Sequence, residues 1–240
     1  MLIRLQNSLA AMSSGVHEQE RIANNLANAN TIGYKRHRTF TETLEEFVDI
    51  EGAPRSTRSQ EDWAEMEQGP LESTGSPLDV ALNGDGFFAF SDEETGAQRF
   101  SRAGRFSMDA DGLLRNPAGH LVEGVGGPIQ IPRDVENINI GPDGSITADG
   151  QAVGRLRVVR FENPRALQRV DSAGFDAAGM DPIDEHETTV MQGHVESSNV
   201  NPLSEMTDMI THFRLFESQQ KLLQTTDQIL GSVTRELGRF

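Results

Sequence analysis

Six histidines are the residues of this chain best suited to holding a metal or moving a proton: His17, His37, His120, His186, His194 and His212. A zinc site needs its ligands clustered, and no two of these stand three or four apart on one expected helix. His186 and His194 could meet on a hairpin, yet their spacing favours satisfied or exposed side chains. Asp109-Ala110-Asp111-Gly112 begins like a calcium loop, in which alternate carboxylates wrap an ion. Leu113 takes the next alternate position and no glutamate closes the loop, so an Asp-Gly turn is the better reading.

Phosphate chemistry has as little support. Gly84-Asp85-Gly86 and Gly124-Val125-Gly126-Gly127 lack the strand, fingerprint and helix that hold a dinucleotide, and no lysine-serine phosphate loop occurs. No serine sits in a nucleophile elbow. With no cysteine, disulfides, thiolate metal sites and a cysteine nucleophile are excluded. The reading is that of a protein with no catalytic residues, no metal site and no cofactor.

The 240 residues can bury a real core, but only 36% are hydrophobic, 6% are aromatic and 23 are glycine. That composition favours turn-rich β-structure with solvated extensions over a compact enzyme. The net charge of -16 repels nucleic acid, and ten acidic residues between Glu42 and Glu72 face only Arg55 and Arg58. Lys35-Arg36-His37-Arg38 is a local exception, read as a solvated, flexible junction. No apolar run is long enough for a membrane span, and the first residues lack the pattern of a cleaved signal peptide.

The elements that would position any site fall into two classes. Leu2, Leu5, Leu9, Met12, Val16, Ala23 and Leu26 recur at steps of three and four, with Gln19 as a polar member. Met206, Met209, Phe213, Phe216, Leu223, Leu230 and Leu237 repeat the pattern at the other end, with Gln220, Asp227 and Thr234 as polar interruptions; these three and Gln19 are candidate register-setters. Ile210, Leu222, Ile229 and Val233 widen this second stripe beyond what one partner helix would cover. Two terminal helices are predicted, about 3–28 ending near Gly33, and about 203–237 opened by Pro202.

From Pro77 to about Met180 the pattern changes to short alternating runs punctuated by turn dipeptides. Hairpins are expected at Asn83-Gly84-Asp85-Gly86, Asp111-Gly112, Asp143-Gly144 and Asp149-Gly150. The fold class is therefore α+β: paired N- and C-terminal helices in a coiled-coil-like domain, with a central antiparallel all-β domain. The expected division is 1–33 with 200–240 as paired helices, 34–76 as an extended connector, 77–182 as the β-domain and 183–199 as the return connector.

Four stretches resemble the bacterial flagellar rod and hook protein family, in the right order along the chain. They are Ile22–Lys35 (IANNLANANTIGYK), Pro77–Phe88 (PLDVALNGDGFF), Arg99–Phe106 (RFSRAGRF), and Glu196–Pro202 (ESSNVNP) followed by Glu205–Ile210 (EMTDMI). The chain is too short for a hook protein, and the interval from Lys35 to Pro77 is closer to the proximal rod type than to the distal one. The resemblance implies a structural subunit of the basal-body rod, exported through the flagellar type III apparatus without a cleaved signal. It also implies partners among like and neighbouring rod subunits, and no role for nucleic acid or membrane insertion.

On this reading the terminal helices carry assembly. Leu5, Leu9, Met12, Leu26, Met209, Phe213, Phe216 and Leu223 are the expected packing positions, and Asn24, Asn25, Asn28, Asn30 and Gly33 form the helix exit. Isolated termini would be partly disordered and fold on assembly. The competing classes are a carbohydrate-active or metal-dependent enzyme on the β-domain, and a self-contained adhesin or scaffold with an intramolecular helical hairpin.

Overall fold

A computed structural model describes residues 2–46, 55–93, 95–185 and 187–237. The chain divides into two compact units, residues 1–27 with 201–240, and residues 28–200. Both terminal helices form as their periodicity dictates, α1 over Leu2–Ala27 and α2 over Pro202–Leu237. Asn201 caps α2, its Oδ1 accepting the amides of Leu203 at 3.1 Å and Ser204 at 3.3 Å. Pro202 takes the first helical position, where its missing N–H costs nothing.

Within the helical unit, the end of α1 meets the start of α2, so the helices run antiparallel. The Asn25 side-chain amide donates to Glu205 Oε2 at 3.3 Å, and both residues are fully buried. The buried line differs in phase from the sequence expectation. On α1, Ile22 and Asn25 are buried, whereas Val16 and Ala23 are exposed. On α2, His212 and Gln219 are half-buried with Met209, Phe216 and Leu223, while Phe213 and Gln220 are exposed. Steps of three and four admit two interleaved phases on one helix, and the sequence alone does not choose between them. Of the polar seam positions Gln19 is half-buried and Gln220 exposed, and Asn25 with Glu205 is the fully buried polar pair among the described residues of the unit. The side chains of Asp227 and Thr234 lie outside the described residues.

The second unit is antiparallel β-structure. Strand β1 (His37–Glu46) pairs with β2 (Arg55–Ala64) over ten residues each, so the span expected as an extended connector contains a long ribbon. Strand β3 (Leu71–Ser73) pairs with His194–Glu196, and β4 (Val80–Asn83) with Thr189–Gln192. Strand β5 (Phe87–Ser91) is central to a ten-stranded sheet, flanked by β6 (Gln98–Ser101), Leu121–Gly124 and Val158–Arg160.

The expected hairpin at Asn83-Gly84-Asp85-Gly86 does not form, because β4 and β5 pair with different partners. A turn dipeptide fixes where the chain bends but not which strand it pairs with next. Asp143-Gly144 and Asp149-Gly150 do close hairpins, on either side of Ser145–Ala148. At the second, φ is 47° for Asp149 and 81° for Gly150. Two successive positive values are what a type I′ turn requires.

Strand β5 reads Phe-Phe-Ala-Phe-Ser, an apolar run buried on both faces. Phe88 and Phe90 join a cluster with Val80, Leu82, Phe106 and Val122, while Phe87 and Ala89 point into a second with Phe100, Phe161 and Phe175. Ring centroids lie 5.4 Å apart for Phe88–Phe106 and 4.9 Å apart for Phe100–Phe161. Both contacts are edge-on, the arrangement that ring quadrupoles favour.

The turns on this unit use their carboxylates internally. Asp109 accepts the amides of Asp111 and Leu113 at 2.8 and 2.9 Å and the guanidinium of Arg115 at 2.7 Å. Asp143 is held by the hydroxyl and amide of Ser145 and by Arg155. Those bonds favour its charged form and lower its pKa from 3.8 to about 2. A depressed carboxylate stabilises the fold above its unfolded value, and that contribution disappears as the pH falls through the folded one. Acid titration of circular dichroism should therefore show stability falling between pH 3.8 and about 2, and Asp143→Asn should make that limb shallower.

Candidate functional site

The most unusual chemistry lies where the chain leaves one helix and returns to the other. Lys35 and Glu196 are fully buried, and Arg102 is 3% exposed. Lys35 Nζ donates to Glu196 Oε1 at 2.6 Å and to the Glu67 carbonyl at 2.7 Å. The Gly69 amide donates to the same Oε1 at 3.0 Å, and Arg102 Nη1 to Oε2 at 3.3 Å. One carboxylate thus gathers four chain segments at a single point.

The surrounding backbone is built for close approach. The Gly33 amide donates to the Glu196 carbonyl at 2.7 Å, and Gly33 has φ of 70°. A Cβ there would stand 2.3 Å from the Ala103 nitrogen, so both conformation and space require glycine. At Gly69 a Cβ would lie 2.0 Å from the Ser197 carbonyl oxygen. Asn199 fastens the same junction, accepting the Arg36 amide at 2.7 Å and donating to the Glu65 and Glu67 carbonyls at 2.8 and 3.1 Å.

Arg169 supports the junction from outside. Its guanidinium lies over the rings of Tyr34 and Phe175, 4.4 and 5.1 Å from their centroids, and donates to the Lys35 carbonyl. A cation over an aromatic face is attracted by the ring quadrupole. Burial pushes the Lys35 ammonium and the Arg102 guanidinium below their usual ranges, opposed in each case by the Glu196 charge. Desolvation disfavours the charged form, and a nearby carboxylate restores it.

This arrangement corrects the reading of the basic run. Lys35 is no solvated junction, because it faces a carboxylate 161 residues away that no local pattern reveals. Of the expected helix-exit residues, Asn25 is buried on α1, Asn28 accepts the Thr31 hydroxyl at 3.1 Å, and Gly33 makes the turn. Asn24 and Asn30 are exposed. Among the expected packing positions, Met12, Leu26, Met209, Phe216 and Leu223 are half-buried, and Phe213 is 48% exposed. The side chains of Leu5 and Leu9 lie outside the described residues.

The histidines do not converge. His17 is 3.5 Å from Glu20, His120 is 4.0 Å from Asp92, and His194 Nδ1 lies 2.9 Å from the Gln192 carbonyl. His186 lies outside the described residues, and no metal-holding cluster of acids and histidines occurs among the described ones. A recess of ≈ 290 Å³ beside the helix exit is lined by Arg99 and Arg105, whose guanidiniums already face Asp176 and Asp79, and by His120, which stands 4.0 Å from Asp92. No described helix is long and apolar enough to cross a membrane.

Three family models match this chain: "Flagella basal body rod protein" over residues 5–35, "Flagellar hook protein FlgE/F/G D1 domain" over 81–148, and "Flagellar basal body rod FlgEFG protein C-terminal" over 191–236. Whole-chain relatives agree. The chain is 31% identical to the basal-body rod protein FlgG of Bacillus subtilis, covering 96% of this chain and 97% of that protein. It is 34% identical to FlgF of Mesorhizobium japonicum, covering 98% and 99%, and 32% identical to FlgF of Salmonella typhimurium, covering 97% of each. The chain belongs to the flagellar basal-body rod protein family.

It is a structural rod subunit and not an enzyme. Each member of the buried triad comes from a different matched segment of this rod protein: Lys35 from the first, Arg102 from the second and Glu196 from the third. Arg102 and Glu196 stand in the stretches that carry the resemblance, but sequence patterns alone assign them no role. The only local signal is the glycine near each partner, at Gly33, Gly69 and Gly104.

Removing one member of a buried ion cluster costs about 3–5 kcal/mol when a charge is left uncompensated. Glu196→Gln leaves two buried cations and should lose that much in urea unfolding followed by Trp63 fluorescence. Lys35→Met leaves Glu196 paired with Arg102 and should cost clearly less.

Proposed function

We propose that this rod protein polymerises through its terminal helices, with the FlgF-type proximal rod as its place of assembly. The observation that carries the reading is a second apolar stripe on α2. Leu203, Met206, Ile210 and Phe213, at steps of three and four, are 74%, 49%, 56% and 48% exposed. The stripe lies beside the half-buried line of Met209, Phe216 and Leu223. A helix apolar on two adjacent faces buries one within its own chain and needs a neighbour for the other. Repetition of a heterologous contact that does not close gives a helical filament. The neighbours are further copies and adjoining rod subunits, in a rod that spans the periplasm and conveys motor torque.

On this reading the chain reaches the rod through the flagellar export apparatus without a cleaved signal, and its terminal helices complete their folding when neighbours cover them. Leu5, Leu9, Met12, Leu26, Met209, Phe213, Phe216 and Leu223 are the packing positions, divided between the intramolecular line and the face offered to neighbours.

The preference for the proximal type rests on length. The alignment to Mesorhizobium FlgF runs 243 positions over 98% of this chain, against 264 positions over 96% for Agrobacterium fabrum FlgG. That FlgG therefore carries more residues with no counterpart here. Identity is level between the types, 31% and 32% for these FlgG proteins and 32% and 34% for the FlgF proteins of Salmonella and Mesorhizobium.

Ile210→Asp with Phe213→Asp should leave the β-unit folded by Trp63 fluorescence but exclude the protein from isolated basal bodies and abolish swimming. Ser218→Asp, at an exposed polar position off this stripe, should leave both intact. Normal incorporation of the double variant into the rod would refute assembly through this face. In basal bodies imaged with a tagged chain, the label should appear on the membrane-proximal part of the rod; a distal label would refute the FlgF-type assignment.

A further inference from the structure

The residues that tie the helix exits together are fastened differently from the rest of the β-unit. Arg102 reaches the second apolar cluster over the ring of Phe87, 5.4 Å from its centroid, but the buried Tyr34, Val195 and Val200 belong to neither cluster. The strand that delivers Glu196 pairs only with β3, through three residue pairs, in a two-stranded sheet separate from the ten-stranded one.

Its polar groups are also incompletely matched. Two cations share one hydrogen-bonded carboxylate, and Arg102 Nε finds no hydrogen-bond partner among the described residues. Opening such a junction returns three ions to water, and their hydration offsets much of the lost bonding. Opening an apolar cluster has no such offset, since it exposes Phe88, Phe90 or Phe100 to water.

We propose that the Lys35–Glu196–Arg102 junction is a latch that opens on its own, freeing the segments 33–36 and 193–200 while both apolar clusters of the β-unit stay closed. In the open state segments 33–36 and 193–200 are no longer fixed side by side, and the bond from the Gly33 amide to the Glu196 carbonyl is released with them. Local opening of this kind is a sub-global unit with its own free energy.

Hydrogen exchange on the dilute full-length chain tests this, and is blind to whether the protein enters a rod. The amides of Gly33, Gly69 and Ser197 are bonded to Glu196 and Pro70. They should exchange at least about tenfold faster than those of Ala89, Leu114 and Ile129. Their exchange should also depend less on urea, because local opening exposes little surface. Equal rates and equal urea slopes at the two sets would overturn the proposal, since the junction would then open only with the whole unit.

The variant Lys35→Met/Arg102→Met/Glu196→Gln removes all three charges but keeps an acceptor for the Gly69 amide. It should bring exchange at the junction toward that of the core while leaving Ala89, Leu114 and Ile129 unchanged. Junction exchange that stays as fast as in the wild type would refute the role of the ions. If the variant does not fold, the wild-type rates and slopes decide.

Discussion

The geometry with which the chain enters and leaves the β-unit depends on one buried carboxylate. Glu196 takes the Lys35 ammonium, the Gly69 amide and the Arg102 guanidinium on its two oxygens, and its own carbonyl takes the Gly33 amide. Those four donors belong to segments that nothing in the chain's local order would bring together. Apolar burial could hold them in contact, but it is non-directional and would tolerate several registers. A carboxylate with specific donors tolerates one. The two glycines at the junction make the same point sterically, since a single added carbon at Gly33 or Gly69 would collide with backbone.

The helical unit repeats this division of labour at smaller scale. Ile22 is buried apolar surface, while Asn25 and Glu205 form a polar contact that fixes one antiparallel alignment of α1 on α2. A polar pair in a helical seam trades stability for register. Register matters here because the residues next to the seam are apolar as well. A shift of three residues on α2 would put the exposed Met206 and Phe213 where Met209 and Phe216 are half-buried, with Gln220 in the place of Leu223.

That near-equivalence explains what the sequence showed and what it hid. The two terminal helices and the antiparallel β-domain were legible from periodicity and turn dipeptides, because each is set by residues a few positions apart. Asp143-Gly144 and Asp149-Gly150 each join the strands beside them, as local rules require. The failures all involve longer range. The phase of the helix seam is hidden because Val16 and Ala23 fit the heptad as well as Gly15 and Ile22 do. Asn83-Gly84 looks like a hairpin because nothing nearby records that β4 pairs instead with Thr189–Gln192. Lys35 looks solvated because its counter-charge lies across the whole β-domain in sequence. Family resemblance points to the stretches holding Lys35, Arg102 and Glu196, but only the fold shows that the three touch.

The contrast between the two kinds of fastening also bears on the protein's strongly acidic surface. At a net charge of -16, copies repel one another in dilute solution. That repulsion falls off within a Debye length, about 8 Å at physiological salt. On the proposed mode of assembly, short-range contact along the exposed line of α2 overcomes it. The buried cations are outside this balance, since Lys35 and Arg102 already face Glu196 and present no charge to a neighbour. The charges inside the β-unit therefore fix geometry, the charges outside keep copies apart, and on the proposed mode of assembly attraction between copies falls to apolar side chains that one chain alone leaves uncovered.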